Sequence, residues 1–457
     1  MKNVHNDVGS AVGWTPLVRI NRVGRDTSAT FYAKLEYLNP GSSVKDRIAV
    51  QIVDDAEQSG RLKPGGTLVE CTSGNTGMGL AMVGAARGYQ TIFVMPDKVS
   101  DEKIKALRAF GAKVITTPTA VPPEDPRSYY SVARRISETT PNSFFANQYQ
   151  NASNPEAHFR TTGPEIWEQI GESLDAVVVA TGTGGTLTGI ARYIKPLKPS
   201  VQMVLVDPVG SIYYDYLKTG KAPRILKTYK VEGFGEDFIP GTIDLKLVDE
   251  VVQVSDKECF VLARELTRKE GLFGGGSCGG AMAGAIKFAR AHPECRTIVV
   301  ILPDSGSRYL SKVYDDAWLR ENSFLDEGEL EGKVEDLLHR RQQRLITAQA
   351  GDGVREVIAL MKEHGISQVP VLEGEELVGM LSESGLLGAM LADPAAAHRS
   401  VGQLTEPNYG LVEPSAPISR LSEIVSQGKV ALVMEAGRLQ GVVTKFDLIE
   451  YLAAASR

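Results

Sequence analysis

Lys45 stands at the end of a small-residue turn, Gly41-Ser42-Ser43-Val44, and is followed by Asp46-Arg47. Apolar Ile48, Ile52, Val53 and Ala56 then recur at helical spacing, which predicts an amphipathic helix with Lys45 in its first turn. The positive end of the helix dipole favours the neutral amine there. A neutral amine carries the lone pair that attacks a carbonyl carbon, so the chemistry open to Lys45 is that of a Schiff-base nucleophile. The other reading of a lysine at a helix start is a solvated surface charge.

Three further segments combine small residues with polar ones. Thr72-Ser73-Gly74-Asn75-Thr76-Gly77-Met78-Gly79 follows a predicted strand and opens a helix rich in Ala and Gly. Hydroxyls, an amide and unpaired backbone N–H groups meet there, as a carboxylate requires. An ordinary N-cap uses the same residue types, although the density of donors exceeds what one cap needs. Gly182-Thr183-Gly184-Gly185-Thr186 also opens a predicted helix, and its amides suit a phosphate. The dinucleotide pattern G-x-G-x-x-G fails because its third glycine falls on Leu187, and no P-loop lysine follows, so a single phosphate fits better. Gly274-Gly275-Gly276-Ser277-Cys278-Gly279-Gly280 precedes a helix with Ala281, Ala283 and Ala285. Ser277 there is either an N-cap at a closely packed helix or a hydroxyl facing a cofactor ring nitrogen. A neutral hydroxyl holds a ring-nitrogen proton less strongly than a carboxylate does, which favours elimination at Cβ over reactions that need long-lived delocalisation into the ring.

These segments need a scaffold. A chain of 457 residues has room for about three domains, or for one large α/β domain and a smaller one. Short β-branched runs at 67–69, 91–95, 176–180, 204–206 and 297–302 alternate with helical patterns, which reads as βαβ units around a mostly parallel sheet. Ligands bind outside the carboxyl ends of such strands, where the loops described above fall. A net charge of −6 argues against nucleic acid as a partner. The first residues lack the apolar core of a signal peptide and no run reaches membrane-span length, so a cytoplasmic protein is expected. Cys71, Cys259, Cys278 and Cys295 lie far apart, as buried reduced thiols would, and the six histidines are scattered. No metal is expected.

Between 323 and 344 the composition turns to a charged, solvated connector, placing a catalytic domain at 1–322 and a second module at 345–457. Beyond it the chain repeats itself: 369–387 matches 431–449 at a constant offset of 62, with Leu377, Gly379 and Ser382 answering Leu439, Gly441 and Thr444. Val334 and Leu337 correspond to Val401 and Leu404 at an offset of 67. The copies fall at about 345–393 and 401–454, and the apolar stripe of the helix around 354–361 is expected to pack against the other copy.

Taken together, Ser42-Ser43-Val44-Lys45-Asp46-Arg47, 72–77, 182–186 and Gly276-Ser277 resemble, in order and spacing, the fold-type II pyridoxal-phosphate (PLP) enzymes of the cysteine synthase and cystathionine β-synthase group. Segments 147–155, 207–212 and 231–240 resemble the cystathionine β-synthase branch, and the C-terminal repeat is similar to a pair of CBS repeats, the Bateman module. The resemblance implies an α/β catalytic domain of two open, mostly parallel sheets with helices, followed by an α/β tandem CBS module. It implies that Lys45 binds PLP covalently and that Asn75 contacts the ring hydroxyl. Gly182, Thr183, Gly184, Gly185 and Thr186 would hold the phosphate, and Ser277 would face the ring nitrogen. Thr72, Ser73, Asn75 and Thr76 would surround the substrate carboxylate, with Gln148 nearby. Tyr149 would line the substrate pocket, a core aromatic after Phe144 and Phe145 being the other reading.

The implied reaction is β-replacement: serine, or cysteine, condenses with homocysteine to give cystathionine and water, or hydrogen sulfide. O-acetylserine sulfhydrylase, a serine or threonine dehydratase and a non-catalytic nucleotide-sensing scaffold are the competing readings. Glu236 stands where animal members have tyrosine, which leaves the second-substrate pocket open. With no haem-binding extension ahead of the catalytic segment, haem is not expected. Thr444 and Asp447 match the ribose-binding pattern of CBS repeats, while Gly385 replaces the carboxylate in the first copy. At most one adenosine-type site, or a purely structural module, follows. A homodimer or homotetramer is expected.

Overall fold

The computed structural model describes residues 4–455, apart from positions 98, 100, 119–120, 122–124, 224–226, 326–332, 341–344 and 427. It divides into two units, Met1–Leu325 and Asp326–Arg457. The strands of the first unit are β1 (Leu17–Arg19), β2 (Thr30–Leu35), β3 (Thr67–Cys71), β4 (Gln90–Pro96), β5 (Lys113–Thr117), β6 (Ser143–Phe145), β7 (Ala176–Ala180), β8 (Gln202–Pro208), β9 (Glu250–Val254) and β10 (Thr297–Leu302). They form a six-stranded sheet in the order β1-β2-β10-β7-β8-β9 and a four-stranded sheet in the order β5-β4-β3-β6. All neighbours are parallel except β1 and β2.

Burial on both faces explains the uninterrupted apolar runs of the central strands. Val178, Val204, Val206 and Val300 face a core completed by Ala281, Met282 and Phe288. Val177, Val179, Met203, Leu205 and Val299 face the opposite core with Leu187, Ile190 and Ile194. The five strands expected from sequence are all present, β7 and β10 with the expected bounds and β3, β4 and β8 slightly longer, while β1, β2, β5, β6 and β9 are not among the expected runs. β2 conceals itself because fully buried Lys34 interrupts its apolar pattern. The four cysteines are free and buried.

The second unit contains β11 (Ala348–Gln349), β12 (Gln368–Glu373), β13 (Glu376–Ser382), β14 (Tyr409–Val412), β15 (Val430–Glu435) and β16 (Arg438–Val443). Each copy is a three-stranded sheet in which a parallel strand precedes an antiparallel hairpin. The hairpins share a register irregularity at equivalent places, Val371/Leu372 and Val433/Met434.

Two expectations are corrected here. The buried stripe Val354, Val357 and Met361 packs on its own copy's sheet, with Val369, Val371 and Leu381, and not against the other copy. Part of the expected connector is also core: the helix Val334–Arg340 buries Val334 and Leu337 among Val412, Leu421, Val433 and Val443 of the second copy. Val401 is conversely buried in the first copy's core, so the two leading segments are exchanged. The remaining connector positions 326–332 and 341–344 lie outside the described residues. No described helix is long and apolar enough to cross a membrane.

Candidate active site

Lys45 is the first residue of the helix Lys45–Gln58. Its turn is tied to the end of β10: the Val44 amide donates to the Pro303 carbonyl at 2.8 Å, and Ser43 bridges Asp304. Two residues on, Arg47 points into the protein. Its guanidinium donates to Glu36 at 2.7 and 2.9 Å and to Glu165 at 2.6 and 2.7 Å, with all three side chains at most 4% exposed. Lys34 Nζ joins Glu165 at 2.8 Å and the Thr15 carbonyl at 2.7 Å. Burial would lower the Arg47 pKa, but the two carboxylates hold it well above its ordinary value. This network fixes the base of the helix that presents Lys45.

An open-mouthed cavity is lined by Lys45, Asn75, Gly182, Thr183, Gly184, Thr186 and Ser277, among others. Among the described residues, Lys45 Nζ has no hydrogen-bond or ionic partner. Burial, opposed by the charges of Glu236 and Asp304, holds the amine below the ordinary lysine range. The sequence reading attributed a neutral amine to the helix dipole, whereas removal from water is the larger cause here.

The loop 182–186 leads from β7 into the helix Gly185–Leu197, whose cap Gly184 has φ +79°. A Cβ on Gly184 would stand 2.3 Å from Ile243 Cβ, so the position requires glycine for both conformation and room. From 182 to 187 the backbone N–H groups have no partner among the described residues; the first bond from this stretch is Thr188 N to the Gly184 carbonyl, at 3.0 Å. A cradle of unspent amides at a helix N-terminus fits the single phosphate of PLP. Two side chains that sequence reasoning missed hold its hydroxyls. Asn154 Nδ2 donates to Thr183 Oγ1 at 3.0 Å, and His158 Nε2 lies 3.1 Å from Thr186 Oγ1. Burial drives His158 well below the ordinary imidazole range, which keeps this support neutral.

The loop 72–76 follows β3 and opens the helix Asn75–Arg87. Thr72 Oγ1 is occupied within the loop, accepting from Gly74 N at 2.9 Å and Gly77 N at 3.3 Å. Thr76 donates to Gln148 Oε1 at 2.6 Å, and Gln148 Nε2 donates to the Cys71 carbonyl at 3.3 Å. Ser73 is exposed. Of this group only Asn75 lines the cavity. Tyr149 is buried with Val69, Cys71, Val94 and Val132 and packs against Tyr130 and Phe238. Its hydroxyl lies 3.2 Å from that of Tyr129.

Ser277 lies inside the helix Gly276–Ala291 and is not its cap; Gly275 occupies that position. Its hydroxyl lines the cavity and donates to buried Asp304 at 3.4 Å. Asp304 also accepts from Asn75 Nδ2 at 2.8 Å, while Arg308 donates to Asn75 Oδ1. Neither Asp304 nor Arg308 was singled out in the sequence, although the carboxyl end of β10 is where such groups are expected. In the second unit, Thr444 N and Oγ1 donate to Asp447 Oδ2 at 2.7 and 2.6 Å, closing the N-terminus of the helix Lys445–Ala455. Ser382 caps the equivalent helix of the first copy through the Gly385 amide.

A parallel α/β unit with a half-buried lysine and a phosphate cradle lining one cavity defines a PLP-dependent enzyme. Residues 8–304 match the family described as pyridoxal-phosphate dependent enzyme, and 334–392 and 401–454 match CBS domains. Among solved structures, O-ureido-L-serine synthase aligns with a TM-score of 0.63 and 37% identity, covering 69% of this chain and 99% of its own. A hydrogen sulfide-producing enzyme from Fusobacterium nucleatum aligns at 0.62 and 34%, covering 67% and 99%. The cystathionine β-synthase of Oryctolagus cuniculus is 39% identical, over 98% of this chain and 85% of the relative. That of Dictyostelium discoideum is 38% identical over 99% and 93%, and that of Saccharomyces cerevisiae 35% over 98% of both. The chain belongs to the cystathionine β-synthase family.

Proposed function

We propose that the protein is a PLP-dependent lyase that condenses L-serine with L-homocysteine to give L-cystathionine and water. The observation that carries this reading is one cavity shared by Lys45, Asn75, the 182–186 loop and Ser277. When bound, PLP supplies the electron sink that acidifies the substrate's α-hydrogen. Lys45 is the residue that would anchor the cofactor; its amine, partly withdrawn from water and without an ionic partner among the described residues, takes up the α-proton and delivers a proton to the departing β-hydroxyl. The unspent amides of 182–187 bind the phosphate, with Thr183 and Thr186 held in place by Asn154 and His158. Asn75 and Ser277, on the wall of the same cavity, would hold the ring. The helix N-terminus at 72–76, backed by Gln148, receives the amino acid's carboxylate.

The hydrogen sulfide-producing structural relative supports cysteine as an alternative first substrate. Lys45→Ala should abolish both the visible absorption of purified enzyme and the formation of cystathionine from serine and homocysteine. A coloured, active Lys45→Ala enzyme would refute the assignment, and faster turnover of O-acetylserine with sulfide would redirect it to cysteine synthesis. The same reading gives a cytoplasmic homodimer or homotetramer, which fractionation and sedimentation test. It also gives one adenosine-type site at Thr444 and Asp447. Calorimetry with S-adenosylmethionine, AMP and ATP tests that site, and absence of heat with all three leaves a structural module.

A further inference from the structure

Asp304 is fully buried, and three side chains converge on its carboxylate. Oδ1 accepts from Ser277 Oγ at 3.4 Å; Oδ2 accepts from Asn75 Nδ2 at 2.8 Å and from Tyr309 OH at 2.5 Å. Its backbone binds the other two parts of the site. Ser43, in the turn before Lys45, bridges it, and its carbonyl accepts from the Gly275 amide at 3.1 Å. Gly275 has ordinary backbone angles, φ −74° and ψ −178°, so conformation does not demand a glycine. Room does: a Cβ there would lie 2.3 Å from Asp304 Oδ1 and 2.5 Å from the Tyr309 ring.

A hydroxyl has one proton and an ionised carboxylate can only accept. With its proton directed to Asp304, Ser277 turns lone pairs toward the cavity. Asn75 is fixed in the same way, its Nδ2 toward Asp304 and its Oδ1 toward Arg308. We propose that Asp304 is a positioning residue that sets the hydrogen-bonding sense of both side chains facing the cofactor ring, holding Ser277 as an acceptor and Asn75 in one amide orientation. A ring nitrogen opposite Ser277 is then bonded through a hydroxyl backed by a buried carboxylate. The inference rests on PLP occupying the Lys45 cavity.

The test uses full-length holoenzyme and the visible absorption and emission of bound PLP, with cofactor content and circular dichroism measured alongside. Asp304→Asn replaces an all-acceptor group by one with a single acceptor oxygen and two donor hydrogens, so either Ser277 or Asn75 with Tyr309 meets a donor and must reorient. The expected result is a loaded, folded enzyme whose absorption band and its pH dependence are shifted. That shift should shrink in a Ser277→Ala or an Asn75→Ala background and vanish when both are replaced. Asp304→Asn enzyme with a wild-type spectrum, or a shift additive with both replacements, overturns the proposal. Should Asp304→Asn fail to fold, Tyr309→Phe removes one donor from the same carboxylate and keeps the ring; it should move the band, and an unmoved band overturns the proposal as well. Wild-type protein without a Lys45-dependent band would instead refute the cofactor placement, and the proposal with it.

Discussion

Replacing Arg47 by methionine keeps most of the side chain's length and removes the charge that two buried carboxylates share. Among the described residues, Glu36 has no other cation within bonding distance, and Glu165 keeps only Lys34. Breaking a buried pair from one side costs about 3–5 kcal/mol, a large share of the roughly 5–15 kcal/mol that holds a domain together. At about 2–4 °C per kcal/mol for a large domain, the unfolding temperature of the catalytic unit should fall by on the order of 10 °C. The pH dependence gives the sharper test. In the wild type, burial pushes the Glu36 pKa up but Arg47 brings it below the reference value of 4.5, so this carboxylate's contribution is present above pH 4.5 and is lost as pH falls through its folded pKa. In Arg47→Met burial acts unopposed by Arg47, and Glu36 is penalised most where it must be charged. The gap between variant and wild type should therefore be widest at pH 7 and above, narrow as pH falls toward about 4.5 as the variant's penalty fades, and close only as pH falls further through the lowered folded pKa of wild-type Glu36. Calorimetric scans of full-length holoenzyme across that range measure it. A gap that is absent, or constant with pH, would refute the account of the network.

Further outcomes follow from single sites. Fully buried Glu70, whose pKa burial raises to about 8, contributes stability that is complete below pH 4.5 and lost as pH rises through about 8, so Glu70→Gln should gain on wild type over that interval; parallel melting curves would contradict it. Gly184→Ala meets both a positive φ and Ile243, a strain of about 1–3 kcal/mol, and should weaken PLP binding about tenfold or more in equilibrium titration. Leu421, with no exposed surface, belongs to the core of the second copy; Leu421→Ala should lower that unit's calorimetric transition by about 2–5 kcal/mol and leave the PLP absorption unchanged.

What was legible in the sequence was local. Lys45 at a helix start, the glycine loops after β3 and β7, and strands of unbroken Val and Ile each follow from a few adjacent residues, and the structure has them all. What was not legible depends on contacts between distant positions. Arg47 meets Glu165 across 118 residues and Asn75 meets Asp304 across 229, so no local pattern announces either pair. His158 and Asn154 occupy a polar helix and become buried only where it meets the phosphate loop. Apolar periodicity also cannot say which sheet a stripe will face: the helix Val354–His364 lies in the expected copy, but its stripe covers that copy's own sheet and does not face the other copy as expected.

The pairing order of the six-stranded sheet bears on how the chain can be made. β2 emerges early, yet its parallel partner is β10, with Thr30 opposite Thr297. The four-stranded sheet, whose strands all lie between Thr67 and Phe145, can assemble while β2 still has only β1 beside it. At about 5–20 residues per second of translation, one edge of β2 stays open for tens of seconds. During that time it is a row of unmet backbone donors and acceptors on a growing chain, the kind of edge that neighbouring chains on a polysome can pair with.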